Sequence, residues 1–242
     1  MIADRVREFL AGIPPHVRVL AAAKTRSIDE IRAAIEGGIR IIGYNYVQEA
    51  AASLEALGRP EVAIQPGERA AFSNELTGHV EPGQFAAHMI GHLQRNKAKA
   101  AVRLFDLIET VDSVRLAEAI DRESMKLGRV TPILIEINSA REPQKAGVVA
   151  EDAIDVIREI AGLASVRIEG LMTMGPLVED PEEIRSYFAE TKGLFDKIAE
   201  LRVPNVVMRV LSMGMSNSYR VAIDEGATMI RLGTLLFGPR AT

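Results

Sequence analysis

A single lysine closes the first strongly apolar run of the sequence. The run VRVLAAAK is rich in small and β-branched residues and ends on Lys24, and Thr25 and Arg26 follow at once. Lysine is a flexible amine whose pKa falls readily on burial, and an unprotonated lysine can attack an aldehyde to form a Schiff base. The pattern alone leaves two interpretations open: a solvated lysine between a strand and a helix, or a nucleophilic amine at the mouth of a folded core.

Two glycine-bearing segments near the C-terminus could bind an anion. The segment LSMGMS places Ser212 beside Gly214, and IRLGTLLFG places Gly233 beside Thr234. Glycine lets a ligand approach the backbone, and the N–H groups at a helix start favour an anion. The two hydroxyl groups could donate further hydrogen bonds. Ordinary turns use the same residue types, so the pattern alone does not decide between a turn and a binding site.

Other polar residues near predicted strand ends are each open to more than one interpretation. Arg231 lies in an otherwise apolar strand, where it either faces solvent, has a partner or points inward towards a ligand. Asn45 is either a helix N-cap or a ligand contact. His88 and His92 have the spacing of a metal pair on a helix, but Gly91 is predicted to break a strand between them and no third ligand stands out. We therefore expect no metal site.

Strand-like and helix-like segments alternate along the whole chain and determine where these residues would lie. Ser27 with Glu30 three residues later is typical of a helix start, as is Asp180 followed by Pro181. Eight strand–helix units in 242 residues predict an α/β fold, a (β/α)8 TIM barrel, which typically has about 250 residues. A doubly wound open sheet is the alternative, but no Gly-x-Gly-x-x-Gly follows the first strand.

A TIM barrel would bring the candidate residues to one face. Functional groups lie at the C-terminal ends of barrel strands, and phosphate is often bound after strands seven and eight. Lys24 follows the first predicted strand, and the two glycine segments follow the seventh and eighth. We find no linker that divides the chain and expect one domain, residues 1–242. The irregular stretch from Arg59 to Gln84, which holds three prolines, is interpreted as a long connection.

The composition excludes several other functions. Without cysteine, the chain forms neither disulfides nor Cys-based zinc sites, and a reducing cytoplasm is permitted. The 29 basic and 33 acidic residues give a net charge of -4 and no extended basic face, so we expect no nucleic-acid partner. No apolar run approaches the roughly 20 residues that cross a bilayer, and the N-terminus lacks the features of a signal peptide. A soluble, cytoplasmic protein without membrane partners is expected.

Taken together, the motifs resemble those of the pyridoxal phosphate homeostasis proteins, also called the proline synthase co-transcribed family. The resemblance runs from about residue 17 to residue 240 and is carried, in order, by AAAKTRSIDEIRAAIEGG, GYNYVQEA, HMIGHLQRNKAK, IETVDSVRLAEAID, GLMTMGP and LSMGMSNSYRVAIDEGATMIRLGTLLFG. The last block is long and distinctive, and it contains both glycine segments.

The resemblance implies a fold-type III barrel similar to the N-terminal domain of alanine racemase, with pyridoxal 5′-phosphate (PLP) as cofactor. It implies a Schiff base between PLP and Lys24, an approach of Arg231 to the pyridine nitrogen, and a place for Asn45 in the cofactor pocket. The phosphate would lie against residues from the two glycine segments, namely Ser212, Gly214, Met215, Gly233 and Thr234.

This sequence departs from the family pattern in its loops. Tyr44 replaces the glutamate that usually precedes the Asn-Tyr-Val-Gln-Glu motif, and Arg95 replaces the serine of the common Gln-Ser-Asn-Lys motif. The loop NSAREPQKAGV lacks the common Ser-Gly-Glu sequence. These differences affect predicted loop contacts more than the lysine or the phosphate site.

A carrier of PLP is the first functional hypothesis, in which the chain limits the free aldehyde and supplies it to PLP-requiring apo-enzymes. An arginine facing the pyridine nitrogen disfavours its protonation, because like charges repel, and this weakens the ring as an electron sink. We therefore expect no robust catalysis.

Two enzyme hypotheses remain beside the carrier. The first is a PLP-dependent amino-acid racemase of low activity. Racemisation needs a second acid/base, supplied in alanine racemases by a tyrosine from a C-terminal β-domain of the partner subunit. The sequence ends at Thr242 without such a domain, so we expect a monomer, and neither Tyr44 nor Tyr46 is predicted to act as the base. The second is a barrel enzyme that acts on a phosphorylated substrate without a cofactor.

Overall fold

The computed structural model describes residues 1–59, 61 and 84–239. Most of the predicted connection from Arg59 to Gln84 therefore lies outside the described residues. Elements are numbered below in chain order within the described part.

Eight parallel strands form a closed barrel in which each strand pairs with its neighbour in the sequence and β8 pairs with β1. This confirms the predicted (β/α)8 TIM barrel and excludes the open sheet. Leu20 of the first strand is aligned with Ile41 on one side and Arg231 on the other, so these residues share one level of the barrel. The strands are β1 (Arg18–Ala22), β2 (Ile41–Tyr44), β3 (Ala86–Met89), β4 (Leu107–Val111), β5 (Thr131–Ile137), β6 (Val166–Thr173), β7 (Val206–Ser212) and β8 (Met229–Leu232).

Helices surround the barrel, and their starts follow the local sequence. Ser27 Oγ accepts from the backbone N–H of Glu30, whose side chain accepts from the Ser27 N–H, so the predicted capping box is confirmed. Asp180 caps the turn that begins at Pro181, also as predicted. The described α-helices are α1 (Ile2–Ala11), α2 (Ile28–Glu36), α3 (Val47–Ala56), α4 (Ala98–Leu104), α5 (Val114–Lys126), α6 (Ala153–Ala161), α7 (Arg185–Leu201), α8 (Tyr219–Asp224) and α9 (Thr234–Phe237).

The predicted boundary between α4 and β4 is wrong by several residues. The apolar run LFDLIETV, residues 104–111, predicts a strand over its whole length, but Leu104 is the last residue of α4 and the strand begins at Leu107. Arg129, which follows α5, donates through Nη1 to the Val102 carbonyl at 2.6 Å. A residue distant in sequence thus satisfies a carbonyl at the helix end, where the helix itself supplies no N–H.

The barrel interior is apolar in its lower part. Side chains alternate between the outer core beneath the helices and the interior. The interior cluster contains Leu20, Ile41, Ile90, Leu107, Leu134, Met172, Val210 and Met229. On β4, β5, β7 and β8, the residue two positions beyond the cluster member is a buried polar side chain, namely Glu109, Glu136, Ser212 and Arg231. These four residues lie towards the face where a TIM barrel carries its functional groups.

Candidate functional site

Lys24 lies at the rim of the barrel and is half-buried. It is two residues beyond Ala22, the last residue of β1, and lies in the turn that follows the strand. Its Nζ atom is 5.6 Å from the ring centroid of Tyr46, a cation–π distance. Thr25 adopts a positive φ of 63°, and its N–H donates to Glu49 Oε1 at 2.8 Å. The turn that carries the lysine is therefore fixed to α3.

The lysine-bearing turn adjoins the end of β8. Gly233 packs beside β1: a Cβ on it would be 3.8 Å from the Ala22 carbonyl oxygen. Arg26 Nη2 donates to the Gly238 carbonyl at 2.6 Å and joins the same turn to the end of α9. The segment that carries Lys24 and the Gly-Thr turn are thus neighbours on the rim.

Gly233 and Gly214 differ in what their backbone requires. Gly214 has a φ of +91°, and a Cβ there would lie 2.5 Å from the Ala222 Cβ, so glycine is needed for the turn itself. Gly233 has an ordinary φ of -116°, and nothing lies closer than 3.8 Å to the place of its missing Cβ. The open space at Gly233 would allow a ligand to approach the start of α9, where exposed Thr234 is the first helical residue.

The chain turns sharply after β7, and backbone polar groups of this turn form hydrogen bonds within the protein. The Gly214 carbonyl accepts from the Arg231 backbone N–H at 3.0 Å. The Met215 N–H donates to Ser218 Oγ at 3.2 Å. Met215 is half-buried, and its backbone N–H is bound by the residue that precedes α8.

A buried chain of hydrogen bonds crosses the barrel interior beneath the rim. His88 Nδ1 lies 2.7 Å from Glu109 Oε1, and Ser212 Oγ donates to Glu109 Oε2 at 2.6 Å. Arg231 donates through Nη1 to Ser212 Oγ at 2.8 Å and through Nη2 to the Thr173 carbonyl at 2.8 Å. Arg231 therefore points inward, one of the options left open by the sequence, and the Ser212 hydroxyl proton is directed at a carboxylate.

Two opposing effects act on the pKa of the Arg231 guanidinium. Burial lowers the pKa of its guanidinium below the ordinary value, and the nearby carboxylates of Glu109 and Glu136 act in the opposite direction. The Glu109 carboxylate, linked to it through one serine, balances the cation within the interior.

Glu136 is a functional candidate that the sequence reasoning missed. It lies in β5 and is 5% exposed, and its Oε2 atom has no hydrogen-bond partner among the described residues. Burial, followed by the charge of Asp112, raises the pKa of its carboxyl to about 7, against a smaller opposing effect of Arg231. An acidic residue inside the apolar run PILIEIN was the signal that could have indicated it.

The remaining sequence candidates lie at different places. Asn45 is half-buried at the end of β2, on the rim. Tyr44 points outward: its hydroxyl lies 3.0 Å from Ser53 Oγ, and burial raises its pKa to about 12. His92 is mostly exposed, unlike buried His88. Across residues 1–59, 61 and 84–239, no group of three His, Asp or Glu side chains could hold a metal ion.

The fold and the site define a class of protein. The sequence profile described as "Alanine racemase, N-terminal domain" matches residues 2–241. Together with the relatives described next, this match shows that the chain belongs to the pyridoxal phosphate homeostasis proteins within the alanine racemase N-terminal domain family. The pyridoxal phosphate homeostasis protein of Aquifex aeolicus is 35% identical over 223 residues, which are 92% of this chain and 87% of that protein. The corresponding protein of Synechocystis is 34% identical over 233 residues, 96% of each chain.

Solved structures agree with this assignment. PipY of Synechococcus elongatus, solved without PLP, is 33% identical, with a TM-score of 0.83 over 98% of this chain and 100% of PipY. The structure of PipY with PLP bound gives a TM-score of 0.81 at 32% identity, with the same coverage. An alanine racemase of Clostridium difficile is 14% identical with a TM-score of 0.71, covering 100% of this chain and 55% of that one, and it shares the fold. Within the described part of the chain, no helix has the length and apolar character needed to cross a membrane.

Proposed function

We propose that this chain binds PLP reversibly as a Schiff base on Lys24 and serves in PLP homeostasis and supply. The observation that carries the proposal is the position of Lys24, half-buried on the rim and next to the open Gly233 turn. Support also comes from the relatives, which are named pyridoxal phosphate homeostasis proteins, and from PipY, whose structure holds PLP. When bound, PLP supplies an aldehyde that can condense with a primary amine.

The residues of the site fit a group with an aldehyde at one end and a phosphate at the other. The space in front of Gly233, where a Cβ would have no close neighbour, suits an anion approaching the start of α9. We assign the phosphate to Gly233 and Thr234 together with the β7 end at Ser212, Gly214 and Met215. Because the Ser212 hydroxyl is directed at Glu109, its contribution would come from the position of its backbone.

Arg231 favours holding the cofactor over catalysis. It is buried, inward-facing and fixed by Ser212 and the Thr173 carbonyl. A fixed cation facing the pyridine nitrogen would keep that nitrogen unprotonated, since a second positive charge there would be repelled. We assign Asn45, at the end of β2 beside the Lys24-bearing strand β1, to the wall of the same pocket.

A PLP-dependent amino-acid racemase of low activity is the second candidate. One observation favours it: the barrel order places β5, with the buried carboxyl of Glu136, whose pKa burial raises to about 7, across the barrel from β1 and Lys24. Proton exchange at Cα of amino acids in D2O separates the candidates. Rapid exchange selective for one amino acid would support the racemase, whereas slow and unselective exchange would support the carrier.

An absorption spectrum tests the proposed site directly. We expect purified protein loaded with PLP to show a visible band, borohydride to trap the cofactor covalently, and peptide mapping to locate it on Lys24. Lys24→Ala should lose both the band and the label. Lys126→Ala is a matched control, because Lys126 is an exposed lysine at the end of α5. A label on any other lysine in the wild-type protein contradicts the assignment.

We also propose that the chain acts as a single-domain monomer and delivers PLP to apo-enzymes. Light scattering of the purified protein measures the oligomeric state. Delivery is measured by reactivating a PLP-requiring apo-enzyme in the presence of a scavenger of free PLP. Faster reactivation by the loaded protein than by equal free PLP is expected, and equal rates would contradict delivery.

A further inference from the structure

We propose that Glu109 is a positioning residue that makes the cofactor site selective for a ligand with a ring nitrogen. Through Ser212 it holds the guanidinium of Arg231 in one orientation, in which N–H groups that the protein does not bind are directed at that nitrogen. The inference rests on the proposed function and deepens it, because the ligand concerned is PLP. It assigns the selectivity for the ring to a residue on the opposite wall of the barrel.

Glu109 determines the direction of the hydrogen bonds that lead to Arg231. An ionised carboxylate only accepts hydrogen bonds, and Glu109 Oε2 accepts from the Ser212 hydroxyl at 2.6 Å. The lone pairs of Ser212 Oγ therefore remain for Arg231, whose Nη1 donates to this oxygen at 2.8 Å. Without the carboxylate, the hydroxyl proton has no fixed direction, and a proton turned towards the guanidinium would oppose this bond.

Two bonds fix the plane of the Arg231 guanidinium. Nη1 donates to Ser212 Oγ, and Nη2 donates to the Thr173 carbonyl at 2.8 Å. The guanidinium is planar and carries five N–H donors, so holding two of its three nitrogens also fixes the N–H groups that remain. One of these is the Nε–H, for which residues 1–59, 61 and 84–239 supply no hydrogen-bond acceptor.

The network holds Arg231 from across the barrel. Arg231 points into the interior two residues before Gly233, which begins the turn assigned to the phosphate. Glu109 belongs to β4, and β4 is opposite β8 in the closed order of eight strands. Glu109, Ser212 and Arg231 are each at most 5% exposed. Water therefore does not compete for these bonds, and their directions are strongly determined in the low dielectric of the interior.

Charge alone does not explain this arrangement. The carboxylates of Glu109 and Glu136 both raise the pKa of the Arg231 guanidinium, so both act on its charge. Within the described part of the chain, Glu109 is joined to Arg231 by hydrogen bonds through Ser212, whereas the Oε2 atom of Glu136 has no hydrogen-bond partner. Both glutamates can balance the cation, but Glu109 is the one that is placed to orient it.

The affinities of PLP-free protein for two ligands test the proposal. One ligand is PLP, and the other is its analogue with C–H in place of the ring nitrogen. Both carry the same aldehyde and phosphate, so a change at Lys24 or at the phosphate turn should weaken both alike. Because a hydrogen bond from a charged group changes affinity by about tenfold or more, Glu109→Met should reduce the preference for PLP over the analogue about tenfold. Any intrinsic difference between the two aldehydes is common to all variants and cancels.

Two further variants complete the test. Ser212→Ala removes the bridge but keeps both charges, and it should also reduce the preference for PLP. Glu169→Met is the matched control, because Glu169 is an equally buried glutamate that binds Arg167 and Arg209 instead of Arg231. This control should lose stability, since it leaves buried charges uncompensated, yet keep the wild-type preference. Urea denaturation establishes that each variant is folded.

The outcomes separate this inference from the proposed function. A wild type that binds PLP on Lys24 but does not prefer it to the analogue would overturn the inference alone. So would a wild-type preference in folded Glu109→Met and Ser212→Ala, or an equal loss of preference in Glu169→Met. A wild type that binds neither ligand would overturn the proposed function, and the role of Glu109 with it.

Discussion

The guanidinium of Arg231 donates to the hydroxyl of Ser212 across 2.8 Å, and this bond joins β8 to β7 inside the barrel. Ser212 in turn donates to Glu109 on β4, a residue 103 positions away in the sequence. The cation near the rim is thus held and balanced from the opposite side of the interior. A side chain held in this way can keep one orientation when a ligand enters above it.

Arg231→Met should destabilise the folded protein by about 3 kcal/mol, because removing one member of a buried charged group leaves the other without compensation. Urea denaturation measures the change. The Glu109→Gln variant should lose stability as well, and the double variant should lose less than the sum of the two single changes. Additive losses would show that the two charges do not stabilise each other.

The pair Gly214→Ala and Gly233→Ala separates folding from ligand binding. Gly214→Ala forces alanine to a φ of +91° and places its Cβ 2.5 Å from the Ala222 Cβ, so a loss of about 2–4 kcal/mol in unfolding free energy is expected. Gly233→Ala has room for its Cβ, with the nearest atom at 3.8 Å, and should change stability little.

The same Gly233→Ala variant should weaken PLP binding by at least about tenfold, or 1.4 kcal/mol, because its methyl group enters the space assigned to the phosphate. Spectroscopic titration with PLP measures this affinity. A Gly233→Ala protein that is stable and binds PLP normally would remove the phosphate assignment from the start of α9.

The barrel could be predicted because the sequence motifs that mark its helix starts each span only a few residues. The capping box of Ser27 and Glu30 and the N-cap at Asp180 each lie within a few residues, and each marks the start of one helical segment. Repeated alternation of such elements with apolar strands is typical of few folds. The end of α4 was misplaced for the opposite reason, since the Arg129 side chain that satisfies its carbonyl comes from another part of the chain.

The rim residues were predictable from strand ends, whereas the interior network was not. Lys24 and Gly233 follow their strands directly, so the barrel alone brings them to one face. The chain of His88, Glu109 and Ser212 joins three strands in a way that depends on the closed register of the sheet. Polar residues within apolar strands indicated that some side chains point into the barrel. Which of these side chains form hydrogen bonds with one another could not be predicted from the sequence.

Tyr44→Phe should leave the proposed cofactor band unchanged, because Tyr44 points away from the rim and contacts Ser53 beneath α3. Loss of this buried hydrogen bond should cost about 1 kcal/mol in unfolding free energy. The native phenol should also stay protonated at alkaline pH, since burial raises its pKa to about 12. A shifted PLP spectrum in Tyr44→Phe would contradict the outward placement.

Glu136 should make the protein less stable as the pH rises from about 4.5 to about 7. The unfolded carboxyl loses its proton near its ordinary pKa of 4.5, whereas the folded one keeps it until about 7. Between these values the folded state binds more protons than the unfolded state, so raising the pH favours unfolding. The shift corresponds to a loss on the order of 3 kcal/mol above this window.

The difference between the wild type and Glu136→Gln isolates this contribution, because the other titrating groups are common to both proteins. Denaturation curves measured at about pH 4, 6 and 8, the span set by the two pKa values, should show the variant gaining stability relative to the wild type as the pH rises. The amide keeps the size of the side chain but cannot ionise, so its burial carries no pH-dependent cost. A constant difference across this range would mean that the carboxyl titrates alike in both states, and that burial in the barrel interior does not disfavour its charged form.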